Sequence, residues 1–517
     1  MKMVVRNVLL NTAGTATIIL AGFFVFPFLT RNLGETKYGF WALIASITAS
    51  YFTVLDLGLS GSVGRQIALR RAQSDIDGVN AVMSTAWAIL WGVFLLAAAA
   101  IPLVIAFFFQ LFHVPEEYAA DVRGAITLIG LQLALSFPGS VFSGLLWGYE
   151  RFDVQNYVDI PMIVIRTACT FLLVDQGSTL TLLAWIVFGV TLAATVAKAV
   201  LCFVLEPRLR LQRKYIRRVE AREMFSFGVW FFLLNFFRNL TPQIGPMVIG
   251  NRLSAASVTT YNVAKQLTTY TNTFMVTGTQ VLAPHATALH AQEDRQRQQA
   301  LFLEGGRFSL AFALFFVGAF WFLGAALVDL WMQGRQNAAV PLLLVLIVGE
   351  ILPMSQWITY SNILAMGRHP LLAIYAMIEA GATLALAYLL APTWGLWGVC
   401  IAVVVPGTLL RGLGQWLLGC RLLAISHGHY TLRVFVPISL AAAGPFLALW
   451  LLTLWRTPAT WIELFLFGGV YALLYGGVMA SVFYRSLQRR FAKPKIAVEI
   501  LESTRSRDFL LPTKLEE

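Results

Sequence analysis

Charge is scarce in this chain. Asp, Glu, Lys and Arg make up 12% of its 517 residues, about half the share of a soluble domain, which excludes a soluble globular fold. Cysteine is nearly absent too. Cys169, Cys202, Cys400 and Cys420 all sit inside apolar runs without the short paired spacing of a zinc or redox site, so they read as small core residues and imply no disulfide framework. The six histidines, His113, His285, His290, His369, His427 and His429, lie at or near loop ends. The pair His427 and His429 has no Cys or Asp beside it to complete a metal site. Glycine-rich phosphate loops are missing, and so is any catalytic constellation. These gaps argue against an enzyme, a resident cofactor and a bound metal.

What fills the chain is apolar sequence, 58% hydrophobic with a mean hydropathy of +0.72. At roughly 20 to 22 residues per membrane span, this suffices for about fourteen helices and little else. After Met-Lys-Met-Val-Val-Arg the chain runs apolar from Val8 to Thr30, longer than a signal-peptide core, and reads as a retained first span. Apolar stretches bounded by charged or turn-forming clusters place spans near 8–30, 39–62, 80–110, 122–147, 156–174, 180–205, 224–249, 257–284, 301–331, 340–365, 370–391, 395–419, 432–454 and 460–484. The expected fold is an all-α polytopic membrane protein.

A net charge of +12 would invite a nucleic-acid reading if it were not distributed as a membrane topology. With the amino terminus inside, the cytoplasmic loops hold most of the Lys and Arg: Lys2, Arg6, Arg65, Arg70, Arg71, the run from Arg208 to Arg222, and the tail from Arg485 to Lys514. The opposite loops hold few, among them Arg31, Lys37, Arg123, Arg252, Arg335 and Arg456. Lys and Arg favour the cytoplasmic side, so both termini are expected there. The basic run Arg208–Arg222 separates six spans from eight and reads as a linker lying on anionic lipid. The expected organisation is an amino-terminal lobe over 1–207, a basic cytoplasmic linker over 208–223, a carboxy-terminal lobe over 224–420, two further spans over 421–486 and a cytoplasmic tail over 487–517.

The two lobes match at an offset of about 220 residues, the mark of a transporter built from repeats. Thr30-Arg31-Asn32-Leu33-Gly34-Glu35-Thr36-Lys37-Tyr38-Gly39 follows the first span, and Gly250-Asn251-Arg252-Leu253-Ser254-Ala255-Ala256-Ser257-Val258-Thr259 follows the seventh. Pro27 pairs with Pro246, and Gly148 with Gly367. The two prolines are hinge candidates, since each removes a backbone hydrogen bond.

The segments Thr30–Gly34 with Tyr38-Gly39, Leu55-Asp56-Leu57-Gly58-Leu59, the turn Gly144-Leu145-Leu146-Trp147-Gly148, and Val258-Thr259-Thr260-Tyr261-Asn262-Val263-Ala264 resemble Wzx-type polysaccharide flippases. These belong to the multidrug/oligosaccharidyl-lipid/polysaccharide exporter superfamily. In this chain Ser254 and Thr259 stand where glycines are common. The resemblance implies a flippase for lipid-linked oligosaccharide, with two six-helix lobes around a central cavity. Spans thirteen and fourteen would be additions, as in the lipid II flippases.

Charges at bilayer depth usually face a cavity or a partner. At 1.5 Å rise per residue, Arg166, Arg238 and Lys265 lie about 12, 16 and 12 Å from the outer ends of their spans, and Glu350 and Glu379 about 15 and 18 Å. The three cations are substrate-binding candidates. Pairing of Arg238 or Lys265 with Glu350 or Glu379 is the structural alternative. Lys198 and Arg411, closer to cytoplasmic ends, read as snorkelling side chains. In span eight, Tyr261, Lys265, Thr268, Asn272 and Thr279 form one helical stripe; in span seven Asn235, Arg238 and Pro242 share a face; in span two Ser46, Ser50, Thr53 and Ser60 do likewise. Polar stripes in membrane helices line water. Asp56, Glu350 and Glu379 are ion-coupling candidates.

The expected function is alternating-access export of a polyprenyl-diphosphate-linked oligosaccharide across a bacterial inner membrane for cell-surface polysaccharide biosynthesis. The partners would be that substrate, membrane lipids and other polysaccharide assembly proteins, with no nucleic acid. A cation-coupled drug exporter of the same superfamily is the rival. A membrane glycosyltransferase or polymerase is disfavoured by short external loops, the longest spanning about Leu111 to Asp121.

Overall fold

The computed structural model describes residues 2–56, 59–225, 229–280, 286, 289–290, 292 and 294–491, with side chains over 10–48, 50, 62–224, 230, 232–276, 286, 289–290, 292 and 294–484. Its first half consists of α1 (Lys2–Asp56), α2 (Leu59–Ala72), α3 (Ile76–Leu111), α4 (Glu116–Gly148), α5 (Phe152–Leu173) and α6 (Leu180–Leu205). A short helix, α7 (Arg218–Phe225), leads to α8 (Val229–Arg252), α9 (Ala255–Gln280) and α10 (Arg295–Met332). A broken helix follows in three pieces, α11 (Ala339–Gly349), α12 (Ile351–Ser355) and α13 (Trp357–Ala365). Then come α14 (His369–Gly407), a π-helical segment over Thr408–Gly414, α15 (Gln415–Leu423), α16 (His427–Tyr430), a second π segment over Thr431–Phe435, α17 (Val436–Trp455) and α18 (Trp461–Phe491).

Ten helical stretches among the described residues are long and apolar enough to cross a membrane. Two are doubled back at a glycine: Gly34 (φ 79°) inside α1 and Gly395 (φ 56°) inside α14, where a positive φ makes glycine the natural residue. Counting both arms of each, and adding the more polar α8 and α9, gives fourteen crossings. Side-chain caps set several boundaries. Asp75 accepts from Gly78 N at the start of α3 (2.8 Å), and Asp121 accepts from Leu180 N and Thr181 N (2.7 and 2.8 Å), fixing the start of α6 to α4. All four cysteines are free thiols.

The core is unequally divided along the membrane normal. At the end bearing the Gly34 turn, one apolar cluster runs through both halves, from Leu33, Phe40 and Leu43 of α1 to Ile249 of α8, Val258 of α9 and Trp331 of α10. Hydrogen bonds cross there too. Gln336 Nε2 donates to Glu35 Oε1 (2.6 Å), Thr259 Oγ1 to the Glu35 carbonyl (2.6 Å), Asn251 Nδ2 to the Leu111 carbonyl (2.7 Å) and Trp331 Nε1 to the Phe23 carbonyl (2.7 Å). A Cβ on Gly39 would lie 1.9 Å from the Ala255 carbonyl oxygen, so only glycine admits this approach of α1 to α9. At the opposite end the apolar clusters are separate. One holds Val63, Ile67, Val79 and Met83, and another holds Leu234, Ile363, Leu372 and Ala373.

The basic connecting segment is pinned to α3 by its backbone. Buried Asn80 donates to the Arg208 carbonyl (3.2 Å) and accepts from Arg210 N (2.8 Å), and Arg217 N donates to Thr85 Oγ1 (3.0 Å). Its guanidinium groups stay outward while Glu220, 2% exposed, turns in to meet Arg70 at 2.8 Å. The last span is fixed to α10, Tyr471 and Tyr475 donating to the Phe315 and Ala311 carbonyls (3.0 and 2.6 Å).

Candidate functional site

A cavity of about 290 Å³ opens among α8, α9, the broken helix α11–α13, α14 and the first π segment. Four members of the stripe expected in α9 face it: Tyr261, Lys265, Thr268 and Asn272 all line the wall. Arg238 and Pro242 do so from α8. Every described lining residue belongs to the second half.

Two irregularities of the backbone create the opposite wall. Pro353 has no N–H to give to the Gly349 carbonyl one turn earlier, and the helix breaks at Glu350. The freed Gly349 carbonyl is satisfied by Thr408 Oγ1 at 3.0 Å, from the segment where the chain widens into a π turn. Such widened turns recur at functional sites because they re-aim a side chain. Here the re-aimed residue is Arg411. Its Nε donates to Glu379 Oε1 at 2.7 Å, and its terminal nitrogens donate to Glu350 at 3.0 and 3.3 Å.

This clamp overturns two expectations. Arg411 does not snorkel; it pairs with both carboxylates, one positive charge set against two negative ones. Arg238 and Lys265 are therefore not the partners of Glu350 and Glu379. The Arg238 guanidinium lies instead over the rings of Tyr360 and Trp357, 4.4 and 5.2 Å from their centroids, a cation–π contact that leaves its positive charge uncompensated. Lys265 Nζ meets a neutral acceptor, Gln243 Oε1, at 3.5 Å. Among the described residues, neither cation has a carboxylate within ion-pair distance.

Other candidates fall elsewhere. Arg166 is exposed on α5 in the first half and does not line this cavity. Asn235 does not line the wall; its carbonyl accepts from Asn239 Nδ2 (2.9 Å). Lys198 does not snorkel, since Asp159 on α5 holds it at 2.8 Å. Ser46 is buried, and Ser50 Oγ donates to its carbonyl at 2.9 Å. The side chains of Asp56, Thr53, Ser60 and Thr279 lie outside the described residues, as do His285 and most of the expected tail. Pro27 and Pro246 both stand inside helices, the first on the wall of a second cavity and the second buried in α8. The sequence pattern does not reveal the pairing of Arg411, because the signal for it, Pro353 opposite the glycine-rich 407–414 segment, acts only across two helices.

Discontinuous helices that border a charged cavity at membrane depth define a class, the polytopic membrane transporters. The chain belongs to the polysaccharide biosynthesis protein family, whose model matches residues 4–290. A curated relative from Shigella flexneri, described as "Putative O-antigen transporter", is 21% identical over 429 residues, covering 80% of this chain and 97% of its own length. Two solved structures share the fold. An inward-facing multidrug resistance MATE family transporter of the MOP superfamily superposes with a TM-score of 0.68 at 14% identity, over 80% of this chain and 94% of that one. The lipid II flippase MurJ in an inward closed conformation gives 0.66 at 14% identity, over 92% and 99%.

Proposed function

We propose that this protein carries a polyprenyl-diphosphate-linked oligosaccharide from the inner to the outer leaflet of a bacterial cytoplasmic membrane, with both termini cytoplasmic and the two halves rocking between alternate openings. The observation that carries this reading is the pair Arg238 and Lys265. Two cations stand on the wall of a membrane-depth cavity whose own carboxylates are already taken by Arg411, which leaves a site with an appetite for an anion. A diphosphate would be held by charge-assisted hydrogen bonds, the glycan by the polar stripe of α9, and the isoprenoid tail would remain in lipid. Export of two negative charges along an inside-negative potential of about 100 mV releases roughly 4.6 kcal/mol. In this orientation the halves, joined at the Gly34 end, are in the inward-facing state.

The MATE likeness offers a drug exporter as the second reading. An organic cation would need a free carboxylate in the cavity, and Glu350 and Glu379 are both engaged by Arg411, so the chemistry favours the anionic substrate. The test is binding of lipid-linked oligosaccharide to the purified protein in nanodiscs. Arg238→Ala and Lys265→Ala should each remove about 1.5 to 3 kcal/mol of charged hydrogen bonding, weakening binding about 10- to 150-fold. Arg238→Lys should recover only part, lacking the planar fork. Unchanged affinity in both alanine variants would refute the assignment.

A further inference from the structure

A second cavity, of about 390 Å³, lies at the Gly34 end, walled by the turn of α1, the end of α10 with the turn that follows it, and the start of α18. Its chemistry changes with depth. At the mouth are two exposed guanidinium groups, Arg31 from the first half and Arg335 from the second, with no ion pair to a described residue. Glu35, beside them, accepts from the neutral Gln336 amide, so the mouth sets two positive charges against one negative. Eight residues before Arg31, about 12 Å deeper at the helical rise, the wall is Phe23 and Phe24. Phe23 stacks on Trp331 at 5.1 Å and meets Trp461 edge-on at 6.1 Å. Phe24 is exposed, as is Phe465, one turn below Trp461 and stacked on it at 6.0 Å. The pocket is thus cationic at the water-facing end and aromatic below, with an open apolar flank where α1 and α18 meet lipid.

We propose that this pocket holds the isoprenyl-diphosphate part of the lipid-linked substrate in the outer leaflet, after translocation. The inference rests on the proposed function for the sidedness of the pocket and for the ligand class. Two guanidinium groups without carboxylate partners match a diphosphate, which offers oxygens to both. The aromatic floor packs against the first isoprene units, and the lipid-facing flank lets the remaining tail leave sideways. Because its walls come from both halves, the pocket exists in this form only while they are joined at that end, so a ligand there favours the inward-facing state by linkage.

The test uses the full chain in nanodiscs containing phosphatidylglycerol, with both Arg238 and Lys265 replaced by Gln to disable the inner cavity, and undecaprenyl diphosphate as the probe. Saturable binding should persist in that background. Adding Arg31→Gln and Arg335→Gln, both exposed changes, should weaken it more than about tenfold, and Trp461→Ala should weaken it less. Inorganic diphosphate should compete only at far higher concentration. Loss of all saturable binding in the Arg238/Lys265 background would overturn the second site while leaving the inner one standing. Residual binding indifferent to the Arg31 and Arg335 changes would overturn it as well. Equal competition by inorganic diphosphate would reduce the pocket to a phosphate-ion site and refute the lipid assignment.

Discussion

The carboxylate clamp allows a sharp test of how the cavity is held. Arg411 makes three charged hydrogen bonds, to Glu379 at 2.7 Å and to Glu350 at 3.0 and 3.3 Å. The Glu379 side chain is 4% exposed, that of Glu350 14% and that of Arg411 34%. Arg411→Gln strands two carboxylates, one of them deeply buried. Removing one partner of a buried pair costs about 3 to 5 kcal/mol. Water reaching the third of Arg411 that is exposed screens part of this, so a loss near about 3 kcal/mol is expected. Adding Glu379→Gln, which deletes the more buried of the stranded charges, should restore most of the stability. Arg411→Lys should fall between, because one ammonium cannot serve two carboxylates with the same fork. The assay is thermal unfolding of the nanodisc-embedded variants, with substrate binding measured alongside. Arg411→Gln should also weaken binding, since two freed carboxylates would repel a diphosphate. A melting temperature equal to wild type in Arg411→Gln, or no recovery in the double variant, would refute the clamp.

Two further outcomes are expected. Burial pushes the Glu220 carboxyl above its ordinary value, against the pull of Arg70; its folded-state value is therefore raised, so the stabilisation it contributes is present at acid pH and lost as pH rises through that value. Wild type and Glu220→Gln should melt together at the acid end and diverge above it with the variant the more stable, and parallel curves across the carboxylate range would show that docking of the linker does not depend on this group. Pro27→Ala with Pro246→Ala should slow transport in proteoliposomes without lowering expression or melting temperature, as restored backbone hydrogen bonds stiffen two helices of the moving halves; unchanged transport would remove the hinge.

Much of this protein was legible along the chain, because a bilayer imposes strong one-dimensional rules. Crossings need long apolar runs and Lys and Arg crowd one side, so the number of spans and the helical class follow from residues 8 to 484 without any knowledge of contacts. Helical periodicity is equally local, and it placed Tyr261, Lys265, Thr268 and Asn272 on one face, and all four line the cavity. What periodicity cannot show is which faces of different helices meet. Counting depth from span ends put Arg166, Arg238 and Lys265 at comparable levels, yet α5 carries Arg166 to the other half. The same counting made Arg411 a snorkelling residue, whereas a π turn swings it onto Glu350 and Glu379. That turn answers a carbonyl freed by Pro353 on a neighbouring helix. Charge pairing inside a membrane is a three-dimensional contest for partners. Only the packing of α8, α9, the broken helix and α14 decided that Arg411 wins both carboxylates and that Arg238 and Lys265 keep their charge for something else.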